Sequence, residues 1–192
     1  MTHLGFFMDT TRCTGCRTCQ IACKDVKNLS VGTLYRKVLD FEGGVFPAVW
    51  ASSFSVACNH CASPQCVPNC PVAALEKDKD TGLVLQDSDM CIGCERCVAC
   101  CPYHAPSYIS EKMIVGKCDG CFDLVLEGEN PVCVTACSTR ALSFGDINTM
   151  REDLEREPAT ARETELVAGF EGIPSADLTL PSLLIRVRRE ML

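Results

Sequence analysis

The sequence predicts an α+β protein made of one or two small cysteine-bound modules, and three observations predict it. Cysteine accounts for 17 of 192 residues, a share found in disulfide scaffolds and metal-loaded chains. Leu, Ile, Val and Phe supply only 48 residues, too few for burial alone to hold small domains, so whatever the cysteines bind contributes to folding. Short strand-like apolar stretches alternate with cysteine loops and short helical runs along the whole chain.

The state of the cysteines follows from what else is present. The start, MTHLGFFMDTTRC, has no positive charge followed by a long apolar run, so no cleaved export signal is expected. No run approaches the roughly 18 apolar residues of a membrane span, so no direct span is expected either. An odd number of cysteines fits complete disulfide pairing badly, and reduced, metal-ligating thiolates are the better reading. The net charge of −7 leaves no basic stripe for nucleic acid. There is no G-x-G-x-x-G or G-x4-G-K-[ST] loop, so neither hydride nor phosphate chemistry is indicated.

Sixteen cysteines fall into four groups in chain order: Cys13, Cys16, Cys19, Cys23; Cys58, Cys61, Cys66, Cys70; Cys91, Cys94, Cys97, Cys101; and Cys118, Cys121, Cys133, Cys137. Cys100 is left over. The first and third groups read C-x2-C-x2-C-x3-C, and Cys101-Pro102 completes the bacterial ferredoxin pattern for a [4Fe-4S] cluster. The surroundings repeat as well. An apolar stretch, an Asp, three residues and C-x-G-C recur at Phe6 to Cys16 and Leu83 to Cys94. The pattern P-x-C-x3-C-x3-A-L recurs at Pro64 to Leu75 and Pro131 to Leu142. The order is thus that of a doubled two-cluster module.

Three cysteines at intervals of three can wrap one face of an iron-sulfur cube, with Gly15 and Gly93 permitting the turn. The fourth cysteine of each run ligates a neighbouring cluster in two-cluster ferredoxins. The run after it, Val72 to Leu75 or Thr139 to Leu142, is expected to begin a short helix. Which motifs exchange these cysteines, sequential pairs or nested ones, is left open by spacing. Zinc is the bland alternative, though it needs four ligands and is generally served by two well-separated pairs. Four cysteines per cube would fill every iron, leaving no open metal position for substrate, which points to electron transfer rather than catalysis.

The remaining elements follow in order. Leu34 to Phe41 and Val45 to Val56, broken by Gly43-Gly44 and Pro47, read as a hairpin. Thr81 to Gln86 reads as a turn and strand leading into the third group. Asp146 with Ile147, Met150 and Leu154 reads as a capped amphipathic helix to about Glu157, followed by a linker with Pro158 and Ala159. Leu183 to Arg189 alternates apolar and basic residues as a strand would, suited to a partner surface or a sheet edge.

Over about residues 4 to 148 the chain resembles the iron-sulfur electron-transfer subunits of the dimethyl sulfoxide reductase family of molybdopterin oxidoreductases. The stretches GFFMDTTRCTGCRTCQIACKD, CNHCASPQCVPNCP, DMCIGCERCVACCPYHAP and KCDGCFDLVLEGENPVC carry the likeness. The resemblance implies two ferredoxin-like modules, one inserted in the other. Residues 1–32 and 111–148 form the outer module and 56–110 the inner one, with 33–55 as a β-hairpin insert and 149–192 as a C-terminal tail in partner contact. It implies four [4Fe-4S] clusters, on Cys13, Cys16, Cys19 and Cys137; on Cys118, Cys121, Cys133 and Cys23; on Cys58, Cys61, Cys66 and Cys101; and on Cys91, Cys94, Cys97 and Cys70. Some relatives replace the ligand at the position of Cys97, and this chain keeps cysteine. Ser138 and Lys24 stand where proline is common after the last cysteine.

The family role is a relay of single electrons between a molybdopterin catalytic subunit and a membrane-anchor, quinol-linked subunit, with the chain itself non-catalytic. Such a chain is cytoplasmic or membrane-associated through its partners, or exported folded with one. A freestanding soluble polyferredoxin carrier is the alternative. His60 and His104 are candidates to tune a cluster through a hydrogen bond, against the blander role of polar loop residues. Lys112 and Lys117 are either charge compensators near Cys118 or solvated surface lysines. Cys100 reads as a small buried filler.

Overall fold

A computed structural model describes residues 2–156, 164–169 and 172–192. In chain order its elements are β1 (Leu4–Asp9), α1 (Thr18–Val26), β2 (Lys37–Val45), β3 (Ala48–Val56), β4 (Leu75–Lys77), β5 (Val84–Gln86), α2 (Arg96–Cys100), β6 (Ser107–Ile109), β7 (Ile114–Gly116), α3 (Phe122–Leu126), α4 (Val132–Thr135), β8 (Leu142–Asp146), α5 (Ile147–Arg156), β9 (Thr164–Val167) and β10 (Leu183–Arg188). The class is α+β, as expected. A four-stranded sheet runs β8-β1-β10-β9, and β2/β3, β4/β5 and β6/β7 are separate antiparallel pairs.

β1 carries no polar side chain from Leu4 to Met8 because it is covered on both faces, and Phe6, Phe7, Met8 and the closing Asp9 are all buried. It pairs antiparallel with β8, Phe6 opposite Phe144 and Met8 opposite Leu142. On its other side it pairs parallel with β10, Phe7 opposite Leu184 and Asp9 opposite Arg186. Gly5 allows this approach, since a Cβ there would lie 2.2 Å from the carbonyl oxygen of Ser182. The helix α5 packs on β1, β8 and β10. The main core joins Phe6, Met8, Phe54, Leu142, Ile185 and Val187 to Cys19, Cys58, Cys118 and Cys133, so cysteines do stand in for missing aliphatics.

Three expectations are corrected. The runs Val72 to Leu75 and Thr139 to Leu142 enter strands β4 and β8 rather than helices. Ala73 and Arg140 take φ of 52° and 55°, a left-handed conformation that ends helical continuation. The next amides, of Ala74 and Ala141, donate to Cys70 Sγ and Cys137 Sγ instead of a helical carbonyl. In the hairpin the turn falls at Phe46-Pro47, and Gly43 and Gly44 lie within β2. Gly43 is there because the Trp50 ring opposite leaves a Cβ only 2.5 Å.

The C-terminal strand is neither a sheet edge nor a surface tail. β10 is an interior strand, with Leu183, Leu184, Ile185 and Val187 at 5 % exposure or less. Just before it, Ala62 and Ser63 amides donate to the Leu180 and Thr179 carbonyls, and the Ser182 amide donates to Asn59. These bonds stitch the C-terminal segment to the loop of the second cysteine group. The helix α5 is described to Arg156, in line with the expected end near Glu157, while Glu157 and the linker with Pro158 and Ala159 lie outside the described residues.

Candidate functional site

The repeat in sequence is a repeat in backbone. Gly15 and Gly93 have φ of 68° and 66°, and Arg17 and Glu95, two residues on, have 60° and 56°. A Cβ at Gly15 would meet Ser53 Oγ at 2.6 Å and one at Gly93 would meet the Met113 carbonyl oxygen at 2.2 Å. Both glycines therefore answer a close approach as well as a left-handed turn. Each loop then enters a helix, α1 or α2, which carries the third cysteine inward: Cys19 and Cys97 are buried, whereas Cys16 and Cys94 are exposed. Cys23 follows on α1, and Cys133 comes from α4, which packs against α1.

Three cavities have cysteine walls. One is lined by Cys13, Cys16, Cys19 and Cys137, a second by Cys58, Cys61, Cys66 and Cys101, and a third by Cys70, Cys91, Cys94 and Cys97. They enclose about 310, 390 and 330 Å³, mouths included. The remaining four motif cysteines act on one another electrostatically, Cys133 and Cys121 on Cys23, and Cys133 and Cys23, after Cys58 of the second cavity, on Cys118. Among the described residues no three ligand side chains converge on a point as a single ion requires. Thiols spread over the walls of a cavity suit a larger inorganic body with several metal atoms.

The thiols are poised to be ligands only in exchange for their protons. Burial pushes Cys23, Cys61 and Cys97 up to about 11 and Cys66 up to about 12, so without metal they are protonated at neutral pH and binding iron releases those protons. Around them the chain supplies donors to sulfur. The Ala74 amide reaches Cys70 Sγ at 3.2 Å, the Ala141 amide reaches Cys137 Sγ at 3.3 Å, the Gly120 amide reaches Cys118 Sγ at 3.4 Å, and Thr18 Oγ1 reaches Cys16 Sγ at 3.3 Å. Such bonds stabilise thiolate charge and tune a cluster. At Cys16 the Thr18 hydroxyl, ahead of the Thr18 amide, holds the thiol below its ordinary range.

The other candidates separate clearly. His60 is wholly buried; burial, then the charges of Lys117, Lys77 and Arg36, keeps it neutral. Its Nδ1 accepts from the Val84 amide at 3.0 Å and its Nε2 meets no hydrogen-bond partner among the described residues. His104 is exposed, bonded through its backbone, and is a loop residue. Lys112 is exposed, but Lys117 is 6 % exposed, donates to the carbonyls of Val84 and Cys118, and lines the second cavity. Cys100 bonds only the Cys97 carbonyl, at 3.8 Å, and lines none of the three cavities.

Sequence reasoning missed Arg36 and Ser55. Nothing local marks them, because Arg36 sits between Tyr35 and Lys37 as a surface charge would. Ser55 Oγ lies 3.3 Å from Cys19 Sγ and 3.2 Å from Arg36 Nη1.

Comparison with known proteins agrees with this chemistry. Residues 49–147 match the family model of the 4Fe-4S dicluster domain. The protein is similar to YnfG of Escherichia coli K12, a probable anaerobic dimethyl sulfoxide reductase subunit, with 42 % identity over 96 % of this sequence and 89 % of the relative. It is similar to the B subunit of anaerobic dimethyl sulfoxide reductase from the same organism, 41 % identical over the same shares. The corresponding B subunit of Haemophilus influenzae is 37 % identical over 97 % of this sequence and 90 % of the relative. No helix among the described residues is long and apolar enough to cross a membrane. With [4Fe-4S] clusters as its cofactors and cysteines enough for four of them, the protein belongs to the iron-sulfur electron-transfer subunits of the dimethyl sulfoxide reductase family.

Proposed function

We propose that the protein relays single electrons between a molybdopterin catalytic subunit and a membrane-anchor, quinol-linked subunit, and that any membrane association comes through those partners. Its sixteen motif cysteines hold the clusters in two nested modules, residues 1–32 with 111–148 around 56–110. The hairpin of 33–55 is an insert. The first motif exchanges its last cysteine with the fourth, and the second with the third.

The observation that carries this reading is the composition of the cavity walls. Three cysteines of the first motif stand with Cys137, three of the second with Cys101, and three of the third with Cys70. When bound, each cube accepts and returns one electron. The protein's part is to supply thiolates, donate N–H groups to sulfur and exclude water from the buried thiols.

The test is metal analysis of the native complex, isolated without oxygen through a tag on this subunit. About 16 iron atoms per polypeptide, with about one molybdenum or tungsten and any further iron on the partner, is expected. Iron at that level with neither metal would make the protein a freestanding carrier, and zinc with little iron would overturn the ligand sets.

A further inference from the structure

Arg36 is the largest fully buried side chain among the described residues, at 2 % exposure. Its Nη1 donates to Ser55 Oγ at 3.2 Å and to the Ser55 carbonyl at 3.4 Å. Its guanidinium carbon stands 4.5 Å over the Phe6 ring. Its Nε and Nη2 are buried and have no hydrogen-bond partner among the described residues. A guanidinium does not lose its charge in a protein, so an enclosed one with two unused donors is costly unless negative charge meets it. Burial opposes its charge, and Cys133, Cys118, Cys19 and Cys23 are the groups that favour it once they are thiolate ligands. These four cysteines come from two of the ligand sets proposed above: Cys19 from the one completed by Cys137, the other three from the one completed by Cys23.

We propose that Arg36 is a positioning residue for electron transfer, its guanidinium enclosed between the two cluster sites of the outer module, with Nε–H and Nη2–H directed at cluster sulfur and both centres biased towards reduction. The inference rests on those ligand sets. A cube with four thiolates carries a net charge of about −2 oxidised and −3 reduced, so an enclosed site resists the incoming electron. A fixed positive charge lowers that resistance, and N–H donors to sulfur raise a cluster's potential. Ser55 holds the guanidinium through Nη1 and touches Cys19 with the same hydroxyl, which fixes it beside the Cys19 site.

The test is a potentiometric titration of the native complex, followed by electron paramagnetic resonance and iron analysis, for the wild type, Arg36→Gln and Arg36→Lys. In it each cube takes one electron from the mediator, its core passing from 2+ to 1+ with no bond broken and no proton required. Cys97→Ser and Cys66→Ser, each altering one cluster, identify the two inner centres. Arg36→Gln with full iron should make the outer pair at least tenfold harder to reduce, 59 mV for one electron, and leave the inner pair unmoved. Arg36→Lys should restore most of the difference. Full iron with unmoved outer potentials in Arg36→Gln would overturn the proposal. If Arg36→Gln loses outer iron, Arg36→Lys decides: full iron with near wild-type potentials supports a role for charge, and equal loss assigns Arg36 to shape alone and overturns it. Wild-type iron well below about 16 per polypeptide would fail the ligand sets themselves, a different result from full iron with unmoved potentials.

Discussion

The carboxylate of Asp9 meets the guanidinium of Arg186 at 3.4 Å across 177 positions of sequence. The other oxygen of Asp9 accepts from the Thr11 amide at 2.9 Å and the Thr11 hydroxyl at 2.6 Å. One buried carboxylate thus locks β1 to β10 and shapes the backbone entering the loop of Cys13. Asp9→Ala removes all three contacts and should cost about 2–3 kcal/mol, while Asp9→Asn, which keeps an acceptor for Thr11, should cost about 1. Anaerobic denaturant unfolding of the loaded protein measures both, and equal stability of Asp9→Ala and wild type would refute the lock.

The interior place of β10 makes a second expectation sharp. Ile185 has no exposure, and Ile185→Ala should destabilise by about 3 kcal/mol through lost burial and a cavity. Arg188, whose ion pair with Glu190 is half exposed, should lose no more than about 1 kcal/mol on Arg188→Ala. A strand serving only a partner surface would leave Ile185→Ala as stable as wild type, which the same unfolding measurement would reveal.

Cys97 of the third motif and the leftover Cys100, three residues on, should behave oppositely. Cys97 lines the third cavity and Cys100 does not. Cys97→Ser should remove or convert one cluster, lowering iron by about one to four atoms per polypeptide, and Cys100→Ala should leave iron and cluster spectra unchanged. Unaltered spectra in Cys97→Ser would count against its place as a ligand.

Asp146 caps α5: Oδ1 accepts from the amides of Asn148 and Thr149, each at 3.1 Å, and Oδ2 from the His3 amide at 2.9 Å. These bonds, that of His3 foremost, hold its pKa below the ordinary 3.8. Because the folded value is the lower one, the cap's contribution is present above the ordinary value and is lost as pH falls through the folded value. At neutral pH Asp146→Ala should cost about 1 kcal/mol, read as roughly fivefold faster amide exchange in α5. The variant and wild type should converge only below about pH 4. A difference that persists unchanged in stronger acid would disprove the linkage.

What the sequence by itself determined is local. Cysteines three apart with a glycine between them define a loop whatever surrounds it, so the loop geometry, the class of cofactor, the hairpin and the Asp146 cap were all legible in neighbouring residues. The turns after Cys70 and Cys137 depart from the expected helix because the ferredoxin pattern fixes the cysteines but not the backbone that follows them, which at Ala73 and Arg140 turns so that the amide after each reaches a sulfur four residues back. Only the tertiary structure decided that Leu183–Arg188 lies inside a sheet, since its partner strand is at the other end of the sequence and alternation reads alike at an edge and in a centre. It alone enclosed Arg36, because burial of a charge depends on what distant segments pack around it, and no residue next to Arg36 carries that information.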